Sequence, residues 1–179
     1  MTRIRRGRHT HDHTRHSEGL CVFLIGMRVN RWWRPDAWLP TFAAMGPMIA
    51  ELSADPDSGF LGARYAISPQ GPLLVQYWRS SDDVYRYAVD RDARHRPAWT
   101  AFNQRAKRVP GAVGVWHETF EVSAAETLAI DMPASGLAAA VGSVPASPGM
   151  RSAAQRLRAG AARAQAPSAP ARKAADRSS

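Results

Sequence analysis

Apolar positions along the chain recur in two periods. In residues 21–30, Cys21, Phe23, Ile25, Met27 and Val29 alternate with Val22, Leu24, Gly26, Arg28 and Asn30. Both sets begin apolar, which predicts a strand covered on both faces. Behind Pro35, Trp38, Phe42, Met45, Ile49 and Leu52 fall at helical spacing, predicting an amphipathic helix opened by the proline and kinked at Gly46-Pro47. Residues 60–68 and 73–79 flank Pro69-Gln-Gly-Pro72 as the arms of a hairpin. Ser80-Ser-Asp-Asp83 supplies N-cap chemistry for a short helix to about residue 89. Pro97 then opens a helical stretch to about residue 108, with the stripe His95, Trp99, Phe102 and Ala106. Residues 111–122 alternate as a long strand carrying Trp116, His117 and Glu118, and short strand and helix signals follow at 128–132 and 135–141.

The order β-α-β-β-α-β is that of an α+β, ferredoxin-like domain, with an antiparallel four-stranded sheet and both helices on one face. Two helices leave the other face uncovered although the strands are apolar there too. The pattern therefore predicts a homodimer in which two sheets close into a dimeric α/β barrel.

Charge changes the picture only at the ends. The formal net charge is +9, yet residues 20–145 carry 12 basic and 12 acidic side chains. The first 19 residues carry five arginines against two acids, and residues 146–179 carry seven basic residues against one acid. Both ends are poor in large apolar residues, so 1–19 and 146–179 read as disordered tails around one domain at 20–145. Tails of this kind make weak contacts with nucleic acid at most, and the neutral domain is not a nucleic-acid binder. The His9-x-His11-x-His13 pattern lies on the first tail without a closed ligand set and is read as no metal site. A lone cysteine, Cys21, in an apolar strand fits a buried small hydrophobe and a reducing, cytoplasmic location. The apolar run 21–27 is too short to span a bilayer.

Within residues 20–145 only His95 and His117 offer an imidazole for acid–base work or ligation. His117 alternates with Val113 and Val115, whereas Trp116, Glu118 and Phe120 share the opposite face. His117 is therefore either a satisfied core histidine or a group pointing into a cavity. His95 heads a helix stripe and is either bonded to nearby backbone or turned toward the sheet. Trp78, Trp99 and Trp116 are candidates to stack on a flat organic substrate, or core residues. Arg28 and Asn30, at the end of the first strand, either orient a substrate oxygen or satisfy a neighbouring turn. Asn103 has the same two readings. Phosphate-loop, dinucleotide and nucleophile-elbow motifs are missing from the sequence.

Six fragments in register carry a resemblance: Met27-Arg-Val-Asn-Arg-Trp32, Trp38-Leu-Pro40, Glu51-Leu-x-x-Asp-Pro-x-Ser-Gly59, Val75-Gln-Tyr-Trp-Arg-Ser80, His95-x-Pro-Ala-Trp-x-x-Phe-Asn103 and Val113-Gly-Val-Trp-His-Glu-Thr119. Over residues 22–140 the chain resembles a monooxygenase-like family of domains of unknown function, named after the monooxygenase of fumagillin biosynthesis. The resemblance implies a dimeric α+β barrel related to antibiotic-biosynthesis monooxygenases, haem-degrading monooxygenases and aldoxime dehydratases. It also implies a cavity between sheet and helices. Asn30 is similar in placement to the first-strand Asn of the haem-degrading members, and His95 resembles their second-helix His.

Three functions follow as expectations. The first is a cofactor-independent monooxygenase acting on an aromatic or polyketide-like carbon acid. In it His117 or His95 assists deprotonation, the three tryptophans hold the substrate, and Arg28 and Asn30 stabilise an oxyanion. The second is a haem-dependent enzyme with His95 or His117 as axial ligand. The third is a non-catalytic dimeric ligand-binding module.

Overall fold

The computed structural model of the chain describes residues 3–16, 19–90 and 93–164. The doubly apolar stretch predicted to be buried forms β2 (Cys21–Val29), the middle of the main sheet. It is followed by α1 (Pro35–Ala43) and α2 (Met45–Ala54), then β3 (Phe60–Ser68) and β4 (Gly71–Trp78). Next come α3 (Ser81–Val89), α4 (His95–Arg108) and β5 (Val113–Glu121). The sheet runs β3-β4-β2-β5 and is antiparallel throughout. This is the ferredoxin-like topology.

Local chemistry explains the element ends. The long helical stripe breaks as expected, but at Ala44 rather than at Gly46-Pro47. Pro47 falls in the first turn of α2, where its missing N–H has no intrahelical acceptor to lose. The hairpin turns on Pro69 and Gln70, with Ser68 paired to Gly71. Gly71 sits at φ +135°, and a Cβ there would collide with the Met27 carbonyl oxygen, so the position admits only glycine. The Ser80 hydroxyl accepts from the Asp83 backbone N–H at 3.1 Å, capping α3.

The helices cover one face. Cys21, Leu52, Trp78 and Val84 form its buried core, joined by Phe23, Ile49, Phe60 and Tyr87. Trp78 is 1% exposed and donates from Nε1 to Gln76 Oε1 at 2.9 Å. Burial pushes the Cys21 thiol pKa up, which suits a packing role. The opposite face is partly covered by α5 (Leu137–Ala140), where Leu137 and Val141 pack with Leu20, Leu61 and Tyr77. Farther along that face Trp116 lies directly over Gly26, at a position where any Cβ would enter the indole ring.

The N-terminal segment departs from the expectation of a disordered tail. Arg5–His11 forms β1, the central strand of a second antiparallel sheet between β6 (Ala129–Met132) and β7 (Ser143–Pro145). A 3-10 turn follows at His13–His16. Thr10, His11 and His13 are buried. At the other end Pro148–Met150 forms a 3-10 turn, and Ala153–Ala164 forms α6. Buried Arg156 holds α6 by a bidentate pair with Glu126, at 3.1 and 3.0 Å. Low apolar content misleads here because these segments are ordered by strand pairing and by polar contacts such as His11 with Thr127 and Arg156 with Glu126. Residues 165–179, part of the expected C-terminal tail, lie outside the described residues.

Candidate active site

Strand pairing determines what can meet over the helix-covered face. Successive residues of a strand point to opposite faces, and paired residues share one. Tyr65 pairs with Leu74, Leu74 with Ile25, and Ile25 with His117, so these four form one rung across β3, β4, β2 and β5. Next along the same face, Met27 pairs with Val115 and Ile67 with Pro72.

Between these positions and the α1–α2 junction lies a cavity of about 300 Å³. Ile25, Met27, Leu74 and Val115 form its floor, and Thr41, Phe42 and Met45 its roof, with Tyr65 at one side. None of the lining residues carries a charge, and the Thr41 hydroxyl is turned to the Ala37 carbonyl at 3.5 Å. Such a space accepts an uncharged, largely apolar ligand of modest size. Phe42 and Tyr65 give it aromatic walls, but both are about half exposed or more, so it opens to solvent.

His117 shares the first rung with the floor residues Ile25 and Leu74 but is not itself among the lining residues. It is the cross-strand partner of Ile25 and lies two residues from Val115, both cavity residues. Its ring is 5.6 Å from that of Phe23 on the same face. The side chain is solvent-exposed.

His95 is elsewhere. At the start of α4 it packs against Tyr87, ring centroids 6.1 Å apart, and Tyr87 packs on Trp78 at 6.2 Å. Burial lowers the His95 pKa, with the Ala88 carbonyl acting in the opposite sense and Arg96 adding to the lowering. The Tyr87 hydroxyl donates to Glu51 Oε2 at 2.9 Å, and burial together with that carboxylate raises the phenol's pKa. Trp78 and His117 lie two rungs apart, about 13 Å along the strands at the usual rise per residue. The two histidines do not form one acid–base site.

The remaining expected site residues are also dispersed. Trp78 is core, Trp99 is 49% exposed on α4 and stacks on Phe102, and Trp116 covers Gly26 on the other face. Asn103 is exposed on α4. Arg28 donates from Nε to Asn30 Oδ1 at 3.0 Å, and Asn30 donates from Nδ2 to the Gly111 carbonyl at 3.1 Å. This pair braces the turn before β5 on the face away from the cavity. Of the expected set, His117 alone lies on the rungs of the helix-covered face that floor the cavity. Phe42 and Met45 were legible only as members of a core stripe. The signal that marks the wall is the alternation that puts Val113, Val115 and His117 together.

Among the described residues no helix is long and apolar enough to cross a membrane. No curated protein matches the chain in sequence. Solved structures resemble it at low identity. A conserved Bacteroides thetaiotaomicron protein of unknown function, described as a possible oxidoreductase, is 10% identical over 59% of this chain and 99% of its own, with a TM-score of 0.43. SnoaB, a cofactor-independent oxygenase from Streptomyces nogalater, is 14% identical over 58% of this chain and 93% of its own, with a TM-score of 0.42. The aldoxime dehydratase OxdRE is 17% identical over 64% of this chain and 34% of its own, with a TM-score of 0.49. Residues 20–137 match the family model described as monooxygenase af470-like, a span that holds the whole ferredoxin-like sheet and its helices. The chain belongs to the monooxygenase af470-like family.

Proposed function

We propose that the protein is a small oxygenase that needs no resident cofactor and oxidises an uncharged aromatic or polyketide-like carbon acid. The observation that carries this reading is the apolar cavity whose floor residues Ile25 and Leu74 share a sheet rung with the imidazole of His117. An apolar pocket favours a substrate whose anion is delocalised over rings, and an exposed imidazole is positioned to act as a general base. His117 takes a proton from an activated CH₂ of the substrate. The carbanion passes an electron to O₂ and the radical pair combines as a carbon-bound peroxide, which His117 reprotonates. Loss of the second C–H proton with cleavage of the O–O bond releases water and leaves a carbonyl. The substrate supplies all the electrons, so no external reductant enters. Arg28 and Asn30 have no part in this sequence, because their polar groups serve the turn on the other face.

The same reading takes the protein as a homodimer. Leu24 and Val75 are half-buried on the open face, and Phe120 is 48% exposed there, a set that a second copy would cover.

Oxygen uptake with anthrone, a tricyclic ketone with an acidic CH₂, tests the reading in protein freed of metal and haem. Consumption above the protein-free rate is expected, and His117→Ala should lower kcat by about 10²–10⁴-fold. No uptake across a panel of such carbon acids, or a His117→Ala rate equal to wild type, overturns it. A Soret band lost in His117→Ala would favour the haem enzyme instead. A monomer in light scattering at micromolar concentration overturns the dimer.

A further inference from the structure

Away from the cavity, the N-terminal segment gathers three imidazoles. His11 ends β1, and His13 and His16 bound the 3-10 turn that follows. A 3-10 helix repeats every three residues, so His13 and His16 stack on one side of it. Ring centroids are 4.0 Å apart for His11 and His13, 5.0 Å for His11 and His16, and 6.3 Å for His13 and His16. One nitrogen from each ring lies within 4.8 Å of the other two. His11 and His13 are 0% and 2% exposed.

Packing three imidazoles together is costly unless something uses their lone pairs. The His11 backbone N–H donates to Thr127 Oγ1 at 2.8 Å, and His11 Nδ1 is 3.0 Å from the same oxygen. With Thr127 accepting from Nδ1–H, the Nε2 lone pair is left for another partner. His11 Nε2 and His16 Nε2 are both buried without a hydrogen-bond partner.

The surroundings form an enclosure. α6 approaches so closely that a Cβ on Gly160 would lie 2.8 Å from His13 Nδ1. The Arg156–Glu126 pair fixes α6 against the loop that carries Thr127. Asp12 Oδ1 accepts from the Thr14 backbone N–H and hydroxyl at 3.0 and 2.7 Å, shaping the turn.

We propose that His11, His13 and His16 bind one late first-row divalent transition-metal ion, with Thr127 orienting His11 as a positioning residue. Three imidazoles with no thiolate suit zinc, copper or nickel rather than calcium or magnesium. Metal–nitrogen bonds of about 2.0–2.1 Å place tetrahedral ligand atoms about 3.3 Å apart. The rings therefore close by roughly 1.5 Å on binding, mostly at half-buried His16, and a fourth position remains for water. The ion ties the end of β1 to the 3-10 turn that follows it, independently of the cavity chemistry.

The test is calorimetric titration of the untagged full chain with Zn²⁺ after chelator treatment, with Co²⁺ absorption as the spectroscopic readout. One ion per chain at micromolar affinity or tighter is expected. Co²⁺ should give the visible bands of a low-coordinate nitrogen-ligated ion, and Zn²⁺ should raise Tm. His16→Gln, with its fold checked by circular dichroism, should weaken binding at least 100-fold and remove the Tm shift. Thr127→Val should weaken it about 10–100-fold, the usual effect of losing a ligand's supporting hydrogen bond. His9→Gln should leave it unchanged, since His9 is half-buried with its Nδ1 3.3 Å from the Gly7 carbonyl, outside the cluster. No binding, binding indifferent to His16→Gln, or binding lost in His9→Gln overturns the proposal.

Discussion

Gly26→Ala tests the register on which the candidate site depends. Gly26 pairs with Trp116, and Ile25 with His117. A Cβ built on Gly26 falls inside the indole, against Cε2, Nε1 and Cζ2. The atoms met belong to a rigid ring, so relief requires the whole indole to move. Alanine narrows the unfolded ensemble and contributes about 0.4–1 kcal/mol of stability. Overpacking of this kind costs about 1–3 kcal/mol. The net expectation is a loss of about 1–2 kcal/mol, or roughly 2–8 °C in Tm for a chain of this size. In a Trp116→Val background the overlap is gone, and the same glycine change should be neutral or stabilising. Urea unfolding of the four proteins at one fixed concentration gives the coupling, expected at about 1–3 kcal/mol with equal m-values. Additivity within about 0.5 kcal/mol refutes the contact. A refuted contact would also release β5 from this register, and a slip of one residue would turn His117 to the face away from the cavity.

Three further outcomes are expected. His95 has a lowered folded-state pKa, so the unfolded chain binds its proton at the higher pH. The His95 contribution to stability is present above the ordinary imidazole value of about 6.5 and lost as pH falls toward the folded value. His95→Gln should flatten that part of the pH dependence of urea unfolding, and an unchanged slope between pH 7 and 5 would count against it. Arg156→Leu removes the bidentate pair with Glu126 and the bonds to the Met150 and Arg151 carbonyls at 3.2 and 3.1 Å. It should cost about 2–4 kcal/mol and expose residues 153–161 in hydrogen exchange, whereas full protection would show that the pair does not hold α6. Val115→Trp should fill much of the cavity and weaken binding of the neutral dye Nile red at least tenfold, and unaltered binding would place the dye site elsewhere.

The main sheet was legible in the sequence because its signals are local. The two-sided apolar run of β2, the Ser80 cap and the Pro69–Gln70 turn each act within a few residues, and neutral residues 20–137 contain them all. The break between α1 and α2 was legible in kind but misplaced by two or three residues. Proline forbids a helix interior more firmly than it forbids a first turn. The cavity was legible only in half. Alternation put His117 with Val115, but the facing wall comes from β3 and the α1–α2 junction, far away in sequence. No period in the chain records which of those residues pack tightly and which leave a gap.

The N-terminal segment shows why counting apolar residues failed. Arg5–His11 has almost no apolar side chains, and in isolation nothing offsets the entropy of ordering it. Its order comes from partners more than a hundred residues away. β6 and β7 supply a ladder on each side, and Thr127 accepts from the His11 backbone. Such pairing is invisible to a window of any length. One local trace did exist. The spacing His11-x-His13-x-x-His16 places two rings on a strand end and the third one 3-10 turn later, which brings three donors together once the strand is fixed. Had the segment been an unstructured arm, these histidines would be solvated and independent. Their burial makes the cluster either a standing cost to the fold or a site for an ion, and Zn²⁺ titration of wild type against His16→Gln separates the two.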